Sequence, residues 1–182
     1  KIMRQDPAFR PDRIFYACCG EEPVGTTAAY IRPAIRPRSG MIHYVGVRSG
    51  HGGKGLGQAL MGAALNRMRE EGWSSAWLTT DDFRLAAIKL YAGLGFIPQL
   101  THDSHRDRWE AVIDALHAPD LRDRWAESLS APLWKAPEPE PDLCDYSKRL
   151  VPRWRWHTQR PVGTLKNDEV TARSDESLYH PS

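Results

Sequence analysis

The length of 182 residues suits one domain, and 41% hydrophobic with 26% charged residues is typical of a globular protein with one sizeable core. The formal net charge of +2 at pH 7 offers no electrostatic reason to expect nucleic acid as a partner. No apolar run approaches the ~18 residues of a membrane span, and the N-terminal residues lack a signal-peptide apolar core, so a cytoplasmic protein without membrane contact is expected.

Three cysteines are present, two of them adjacent: Cys18, Cys19 and Cys144. An odd number without regular spacing argues against a disulfide framework, and the lack of a C-x-x-C pair argues against a zinc site. Free thiols are therefore expected, and no metal site is predicted.

The first predicted elements are strands. Residues 14–19 form an apolar run that stops at Gly20, residues 21–23 suit a turn, and residues 24–31 contain Val, Thr and Ile, which together predict a β-hairpin. A loop rich in proline and arginine follows. Residues 41–47 are again apolar and predict a third strand.

A glycine-rich turn and a helix follow this strand. Five of the eight residues from Gly50 to Gly57 are glycines. The next apolar residues share one helix face, and Gly72 ends the pattern: Leu56, Leu60, Ala63, Ala64 and Met68. Glycines let the backbone approach a phosphate closely, and the first N–H groups of a helix point at the anion. The turn is therefore predicted to bind a phosphate group.

Further elements follow at short intervals. Strands are predicted over residues 73–80 and 96–100, and helices over residues 85–94, 106–117 and 120–129. Gly95 ends the helix that separates these two strands. Strands that alternate with helices indicate a mixed α/β architecture.

The character of the chain changes near residue 131. Prolines cluster there and the apolar periodicity stops, so residues 131–182 are predicted to be a disordered, proline-rich tail after a domain of residues 1–130. A basic and aromatic stretch in this tail, residues 149–156, could stack on nucleic acid or dock on a partner. Packing against the domain, or solvation, is the more ordinary expectation for so short a stretch.

The glycine turn has two other interpretations. Gly50, Gly52 and Gly55 fit the dinucleotide pattern G-x-G-x-x-G by position, which alone is a weak signal. Strands before the turn and the short chain after it disfavour a dinucleotide-binding domain, although acidic residues do follow the next strand. The P-loop pattern fails, because Gly55 follows Lys54 where Ser or Thr would hold magnesium.

Two motifs resemble the N-acetyltransferase (GNAT) superfamily. Residues 52–57, Gly-Gly-Lys-Gly-Leu-Gly, are similar to its motif A, Arg/Gln-x-x-Gly-x-Gly/Ala, and residues 87–96, Ala-Ile-Lys-Leu-Tyr-Ala-Gly-Leu-Gly-Phe, are similar to its motif B. One helix and one strand separate them, as the family requires. The resemblance covers residues 14–100 and implies an α/β (α+β) GNAT fold, a mixed, mostly antiparallel twisted sheet flanked by helices, here with extra C-terminal helices and the disordered tail.

The resemblance implies acetyl-CoA as co-substrate. In this family the pyrophosphate of coenzyme A rests on backbone N–H groups of the motif A loop, and the pantetheine arm pairs with the edge of the preceding strand. The matching strand residues are Val45, Gly46 and Val47, and the matching loop residues are Gly52, Gly53, Lys54, Gly55, Leu56, Gly57 and Gln58. Gly52 stands where the family usually has Arg or Gln. Glycine loses the side-chain contact with the coenzyme and keeps the backbone contact. Arg84, where the family commonly has Asn, is expected to pair with a coenzyme phosphate or with Asp81.

Two proton-transfer residues are also implied. Tyr91 occupies the family's general-acid position, and a core tyrosine is the alternative. His43 resembles a strand histidine that works through water as the base in some family members, and a structural histidine is the alternative. Strand alternation puts its side chain on the same face as Val45 and Val47. His51, in the loop, is expected to contact phosphate or solvent.

The function implied is transfer of the acetyl group of acetyl-CoA to a primary amine by direct attack within a ternary complex. The acceptor would be a small-molecule amine or a protein amino group, and a homodimer is left open. The family's first strand and helices are expected to be missing before Ile14, which favours a catalytically weak acyl-CoA-binding or regulatory module as the alternative. A dinucleotide-binding domain is the third interpretation.

Overall fold

The computed structural model describes residues 9–31, 36, 39–135, 151–155 and 172–173. The strands of this part are β1 (Ile14–Cys19), β2 (Glu22–Ile31), β3 (Ser39–Val47), β4 (Ser75–Trp77), β5 (Ile97–Gln99), β6 (Val151–Arg155) and β7 (Ala172–Arg173). Its helices are α1 (Leu56–Glu70), α2 (Leu85–Gly93), α3 (His105–Ala115) and α4 (Asp120–Ser130), and a 3-10 turn covers Pro11–Arg13. The chain divides into two units, residues 1–76 with 156–182 and residues 77–155.

The first unit is built on antiparallel strands in the order β3-β2-β1-β7. β1 and β2 form a hairpin whose turn places Gly20 at a φ of 61°, a left-handed conformation that glycine adopts without steric cost. β2 continues into antiparallel pairing with β3, from Ile31 opposite Gly40 to Gly25 opposite Val47. The predicted hairpin and third strand are confirmed.

Helix α1 packs on one face of these strands. Leu60 and Met68 are fully buried on the helix, and glycines in the strands make room for them. A Cβ on Gly25 would lie 3.0 Å from Leu60 Cδ1, and a Cβ on Gly40 would lie 2.6 Å from Met68 Sδ. A larger side chain at either strand position would therefore push the helix away from the sheet.

The ends of α1 agree with the predicted helix. It begins after Gly55, which has a φ of 76°, and its buried side includes most of the predicted apolar stripe. Gly72 follows the helix at a φ of 80°, and the Trp73 N–H donates to the Met68 carbonyl at 3.0 Å. This bond closes a Schellman-type ending, in which glycine takes the left-handed position and the last carbonyls find donors.

The second unit has its own apolar core. Eight buried residues from α2, α3, α4 and the segment after β5 make up this cluster: Ile88, Ala92, Leu100, Trp109, Val112, Ile113, Leu121 and Trp125. The two tryptophan rings meet edge to face, with centroids 5.3 Å apart and an interplanar angle of 71°, which is a favoured arrangement of aromatic rings. The two predicted helices after β5 therefore pair through one tryptophan each.

Three elements differ from the prediction. The strand predicted over residues 73–80 is reduced to Ser75–Trp77. Val151–Arg155 and Ala172–Arg173, which fall in the predicted disordered tail, form β6 and β7. β6 pairs antiparallel with β5, and β7 with β1, so both segments bond to strands that are distant in the sequence. Periodicity is a local signal and does not detect such pairing.

The predicted fold class is confirmed: the described part is a mixed α+β structure with mostly antiparallel strands flanked by helices. The boundary at residue 130 stays a prediction, and most of the predicted tail after residue 135 lies outside the described residues. None of the helices in the described part combines the length and the apolar character that a membrane crossing requires.

Candidate functional site

The glycine turn lies between β3 and α1 and presents an open backbone surface. Gly50, Gly53 and Gly55 have φ values of 85°, 75° and 76°, which L side chains rarely adopt. A Cβ built on Gly50, Gly52 or Gly53 would meet no atom within 4 Å. The absence of side chains therefore leaves room for a ligand to approach the peptide groups directly.

The start of α1 favours an anion. Gly55 caps the helix without a side-chain hydrogen bond, and the first turn contains no acidic residue. The N–H groups of a first turn have no acceptor within the helix and carry the positive end of its dipole. Gly52, Gly53, Lys54 and Gln58 are exposed here, whereas the Leu56 side chain is 3% exposed and belongs to the core. A contribution from Leu56 would come from its backbone alone.

Strand β3 contains a β-bulge next to the predicted base. His43 pairs with Ala28 and Gly46 pairs with Thr26, so Tyr44 and Val45 both stand opposite Thr27. The hydroxyl of Thr27 donates to the His43 carbonyl at 3.5 Å. A bulge bends the strand and leaves the extra residue out of the ladder, and bulges are common beside active sites.

The bulge overturns one expectation about His43. Strict alternation would put its side chain on the face of Val45 and Val47. Because the bulge inserts one residue, His43 shares a face with Gly46, whereas Val45 and Val47 lie on the face that packs against α1. The error is physical in origin, since a bulge reverses the side-chain alternation without any local change in hydrophobicity.

The bulge also places an aromatic residue in a strained conformation. Tyr44 has a φ of 51°, and its side chain is 65% exposed. Left-handed backbone in a residue other than glycine costs on the order of 1–3 kcal/mol and occurs at turns, at helix ends and, with some enrichment, at active sites. The Tyr44 ring lies over the imidazole of His43, with centroids 3.9 Å apart and an interplanar angle of 46°. Glycine is the residue that usually takes such a left-handed conformation, and here a tyrosine takes it.

A second tyrosine contacts the same imidazole. The Tyr30 ring centroid lies 5.9 Å from that of His43. Tyr30 is 7% exposed, and burial raises the pKa of its phenol, so the hydroxyl stays protonated at neutral pH. His43 is therefore in contact with one buried and one exposed phenol ring.

An open groove of about 380 Å³ lies at the register of Tyr16, Thr26 and Gly46, which share the sheet face of His43. It is lined by Tyr16, Pro23, Val24, Gly25, Thr26, Gly46, Val47 and Arg48. Tyr16 and Gly46 both pair with Thr26, which places the groove directly beside the His43–Ala28 pair. Among the described residues that line it, only Arg48 is charged, and Arg48 forms an ion pair with Glu22. The volume falls within the range typical of sites for small molecules.

Tyr91 lies on α2 in the second unit. It is 7% exposed, and its ring centroid is 6.0 Å from that of Phe96. Burial raises the pKa of the Tyr91 phenol, and the positive charge of Arg84 opposes this with a smaller effect. The side chain therefore keeps its proton at neutral pH, which a general acid must do.

Arg84 stands immediately before α2. Its Nε donates to Asp81 Oδ2 at 2.7 Å, so the predicted pairing with Asp81 is present. Its guanidinium carbon also lies 5.4 Å from the ring centroid of Phe83, within cation–π range. Phe83 is 79% exposed, and the Arg84 side chain is 54% exposed. The guanidinium is oriented by two neighbours and still accessible to a ligand.

The predicted site residues fall into two groups. His43, Val45–Val47 and residues 52–58 follow one another along β3, the glycine turn and the start of α1, whereas Tyr91 lies on α2 and Arg84 immediately before it. Sequence reasoning missed Tyr16, Thr26 and Tyr44, because neither the groove nor the bulge has a local signature. Among the residues described, no cluster of three or more His, Cys, Asp or Glu side chains could hold a metal ion.

Sequence comparison links the chain to a known group of enzymes. The model of the Acetyltransferase (GNAT) family matches residues 2–96. A mycothiol acetyltransferase of Frankia casuarinae is 39% identical over 115 residues, which are 59% of this chain and 33% of that protein. An N-acetyltransferase 8B of Rattus norvegicus is 35% identical over 81 residues, 42% of this chain and 36% of that protein. The chain thus spans about a third of the length of these relatives.

Solved structures resemble the chain at low identity. The diaminobutyrate acetyltransferase EctA of Paenibacillus lautus, in complex with L-2,4-diaminobutyric acid and coenzyme A, aligns with a TM-score of 0.49 at 14% identity, over 86% of this chain and 74% of that one. A Bacillus subtilis acetyltransferase in complex with CoA aligns with a TM-score of 0.49 at 16% identity, over 78% and 75% of the two chains.

Proposed function

The chain belongs to the Acetyltransferase (GNAT) family, and from this premise we propose that it transfers the acetyl group of acetyl-CoA to a primary amine by direct attack within a ternary complex. The observation that carries the proposal is the open glycine turn at the start of α1, which directly follows a bulged strand. The acceptor is a small-molecule amine or a protein amino group.

The glycine turn is the proposed pyrophosphate site. The cofactor-binding residues are those of the family motif: Gly52, Gly53, Lys54, Gly55, Leu56, Gly57 and Gln58. The open space above Gly52 and Gly53 supports this assignment, because a Cβ there would occupy the approach to the peptide N–H groups. Arg84 is proposed to add a positive charge for a phosphate while it keeps its bond to Asp81.

The backbone of β3 is the proposed site of the pantetheine arm. Val45, Gly46 and Val47 follow the bulge, and a bulge leaves peptide groups outside the regular ladder. Such groups can pair with an extended ligand in the manner of an additional strand. A peptide N–H in this segment is proposed to polarise the thioester carbonyl. Preorganised hydrogen-bond donors of an oxyanion hole do the same in other acyl-transfer enzymes.

The reaction requires two proton transfers. The amine nitrogen forms a bond to the acetyl carbon, the carbon–sulfur bond breaks, and the sulfur keeps its electron pair. His43 is proposed to accept the amine proton through a water molecule, and its half-buried imidazole beside the groove supports that role. Tyr91 is proposed to donate a proton to the sulfur, supported by the burial that keeps its phenol protonated.

Calorimetry and a thiol-release assay test this proposal together. We expect acetyl-CoA to bind the purified chain, NAD not to bind, and free thiol to appear when a primary amine is added. Binding without thiol release for any amine would support the alternative of a non-catalytic acyl-CoA-binding module. Failure to bind acetyl-CoA would contradict the proposal, and a response to NAD would favour the dinucleotide interpretation of Gly50, Gly52 and Gly55.

A further inference from the structure

Tyr44 combines two features that are unusual for a tyrosine in a strand. Its backbone is left-handed, and it is one of only two non-glycine residues in the described part with a positive φ. Its ring is also largely exposed, whereas the neighbouring aromatic residue Tyr30 is buried. Glycine at this position would remove the backbone strain and the exposed apolar surface together. A strained residue that also exposes an aromatic face to solvent points to a role in binding.

The surroundings of Tyr44 indicate what it binds. Its ring contacts the imidazole of His43, the proposed base. On the same sheet face, the pair after His43–Ala28 is Gly46–Thr26, and the groove begins there. A ligand that reaches His43 from the groove therefore passes the exposed face of Tyr44. Aromatic faces attract both apolar groups and ammonium groups.

The lining of the groove restricts the chemical class of this ligand. Pro23 and Tyr16 provide carbon surface, and none of the described residues that line the groove is acidic. A sugar or a peptide needs several hydrogen-bond partners to replace its hydration, since a buried polar group without a partner is costly. An amine with an apolar body needs only carbon surface around that body and an acceptor or aromatic face near its nitrogen.

We propose that Tyr44 is a specificity-determining residue of the acceptor site, and that the acceptor is a primary amine with an alkyl or aryl body. The body occupies the groove lined by Tyr16 and Thr26, and the amine nitrogen lies against the exposed face of Tyr44, next to His43. This inference rests on the proposed function, because it names the acceptor of that same site.

The test separates binding from stability. Tyr44→Gly is expected to raise the melting temperature, because glycine relieves the left-handed strain, and to weaken binding of phenylethylamine in the presence of CoA by about tenfold, the usual worth of one aromatic contact. Tyr44→Phe keeps the ring and is expected to bind phenylethylamine as the wild type does. Thr26→Ile narrows the groove and is expected to weaken binding of phenylethylamine more than that of ethylamine.

His117→Gly is the matched control. His117 is the other non-glycine residue with a positive φ, also at 51°, and it lies after α3 in the second unit. Its replacement is expected to raise the melting temperature without any change in amine binding. A rise in melting temperature for both variants with reduced binding only for Tyr44→Gly would separate the role of the ring from the relief of strain.

Equilibrium binding keeps this inference distinct from the proposed function. Loss of phenylethylamine binding in Tyr44→Gly would support the acceptor site even if the wild type released no thiol, in which case acetyl transfer alone would fail. Equal binding by Tyr44→Gly and the wild type, or tighter binding of glucosamine or of a lysine-containing peptide than of phenylethylamine, would overturn it.

Discussion

The hydroxyl of Tyr91 is separable from the packing of its ring. The ring contacts Phe96, and the side chain is almost fully buried, so its aromatic body contributes to the second unit whatever the hydroxyl does. Burial raises the pKa of the phenol above its ordinary value of 10.0. The group is therefore neutral across the range in which the enzyme would be assayed, and a change of pH from 6 to 9 does not alter its charge.

Tyr91→Phe removes the proposed proton donor and keeps the ring. We expect kcat to fall by about 100-fold, the usual size of a general-acid contribution, with the KM for acetyl-CoA unchanged. Because the raised pKa keeps the wild-type phenol protonated below pH 10, the ratio of the two rates should stay constant between pH 6 and 9. Steady-state assays of thiol release over that range measure it.

The same variant also has a clear contrary outcome. Unchanged turnover at every pH would assign Tyr91 to the core alone. A large loss of melting temperature would show that the hydroxyl has a structural partner, and the loss of rate would then not be specific to catalysis. Thermal unfolding of Tyr91→Phe and the wild type therefore accompanies the kinetics.

At the scale of elements, an ion-pair network joins the 3-10 turn to the end of α1. Arg13 Nη2 lies 2.6 Å from Glu71 Oε2, and Arg67 Nε lies 2.7 Å from Glu71 Oε1. Arg67 also pairs with Asp12. The side chains of Arg13 and Glu71 are 13% and 21% exposed, so solvent screens this pair less than a surface pair. The network fixes where β1 begins relative to the helix.

Glu71→Gln removes the shared carboxylate and leaves the guanidinium of Arg13 poorly paired. We expect the free energy of unfolding to fall by about 1–2 kcal/mol, the usual cost of losing hydrogen bonds to a charged group. Urea denaturation at pH 7 measures the loss. Glu70→Gln, an exposed neighbour on the same helix, is the matched control and is expected to change stability little.

The acid dependence of this pair of variants gives an independent check. Burial tends to raise the pKa of Glu71, but hydrogen bonds and charges from Arg13 and Arg67 outweigh it, so the folded pKa is lowered. A lowered pKa contributes stability that is present above the unfolded value of about 4.3 and is lost as the pH falls through the folded value. Glu71→Gln should therefore lose less stability than the wild type below pH 4. Parallel acid curves would contradict this assignment.

At the scale of the whole molecule, the sequence predicts the helices and strands better than the β-bulge and the pairing between distant strands. The hairpin, the glycine turn and α1 follow from alternation, glycine content and helical periodicity, and the structure confirms them. The family prediction is confirmed by the match over residues 2–96. These features are local, so local sequence patterns are sufficient to predict them.

The candidate site is less predictable, because its geometry depends on pairing between strands. The bulge at Tyr44 is visible only in the register between β2 and β3, and it alone decides which face carries His43. The groove exists because Tyr16, Thr26 and Gly46 meet across three strands. The pairing of β6 with β5 is likewise a contact between distant segments, in a stretch where the composition indicates disorder.

Strands β6 and β7 make the end of the described chain part of the fold. β6 covers an edge of β5 through three residue pairs, Ile97–Arg153, Pro98–Pro152 and Gln99–Val151. β7 contributes only two pairs with β1. An uncovered strand edge loses hydrogen-bond partners and tends to pair with other chains. The two strands should therefore differ in how much stability they provide.

Two truncations test this difference. Removal of residues 156–182 deletes β7 and is expected to lower the melting temperature slightly, whereas removal of residues 136–182 also deletes β6 and should lower it by several degrees more and promote aggregation. Removal of residues 174–182 keeps both strands and is the control. Pairing at a strand edge contributes to stability only where the paired segment stays ordered. If all three truncations melt at the same temperature as the full chain, residues 131–182 act as the disordered tail that their composition predicts.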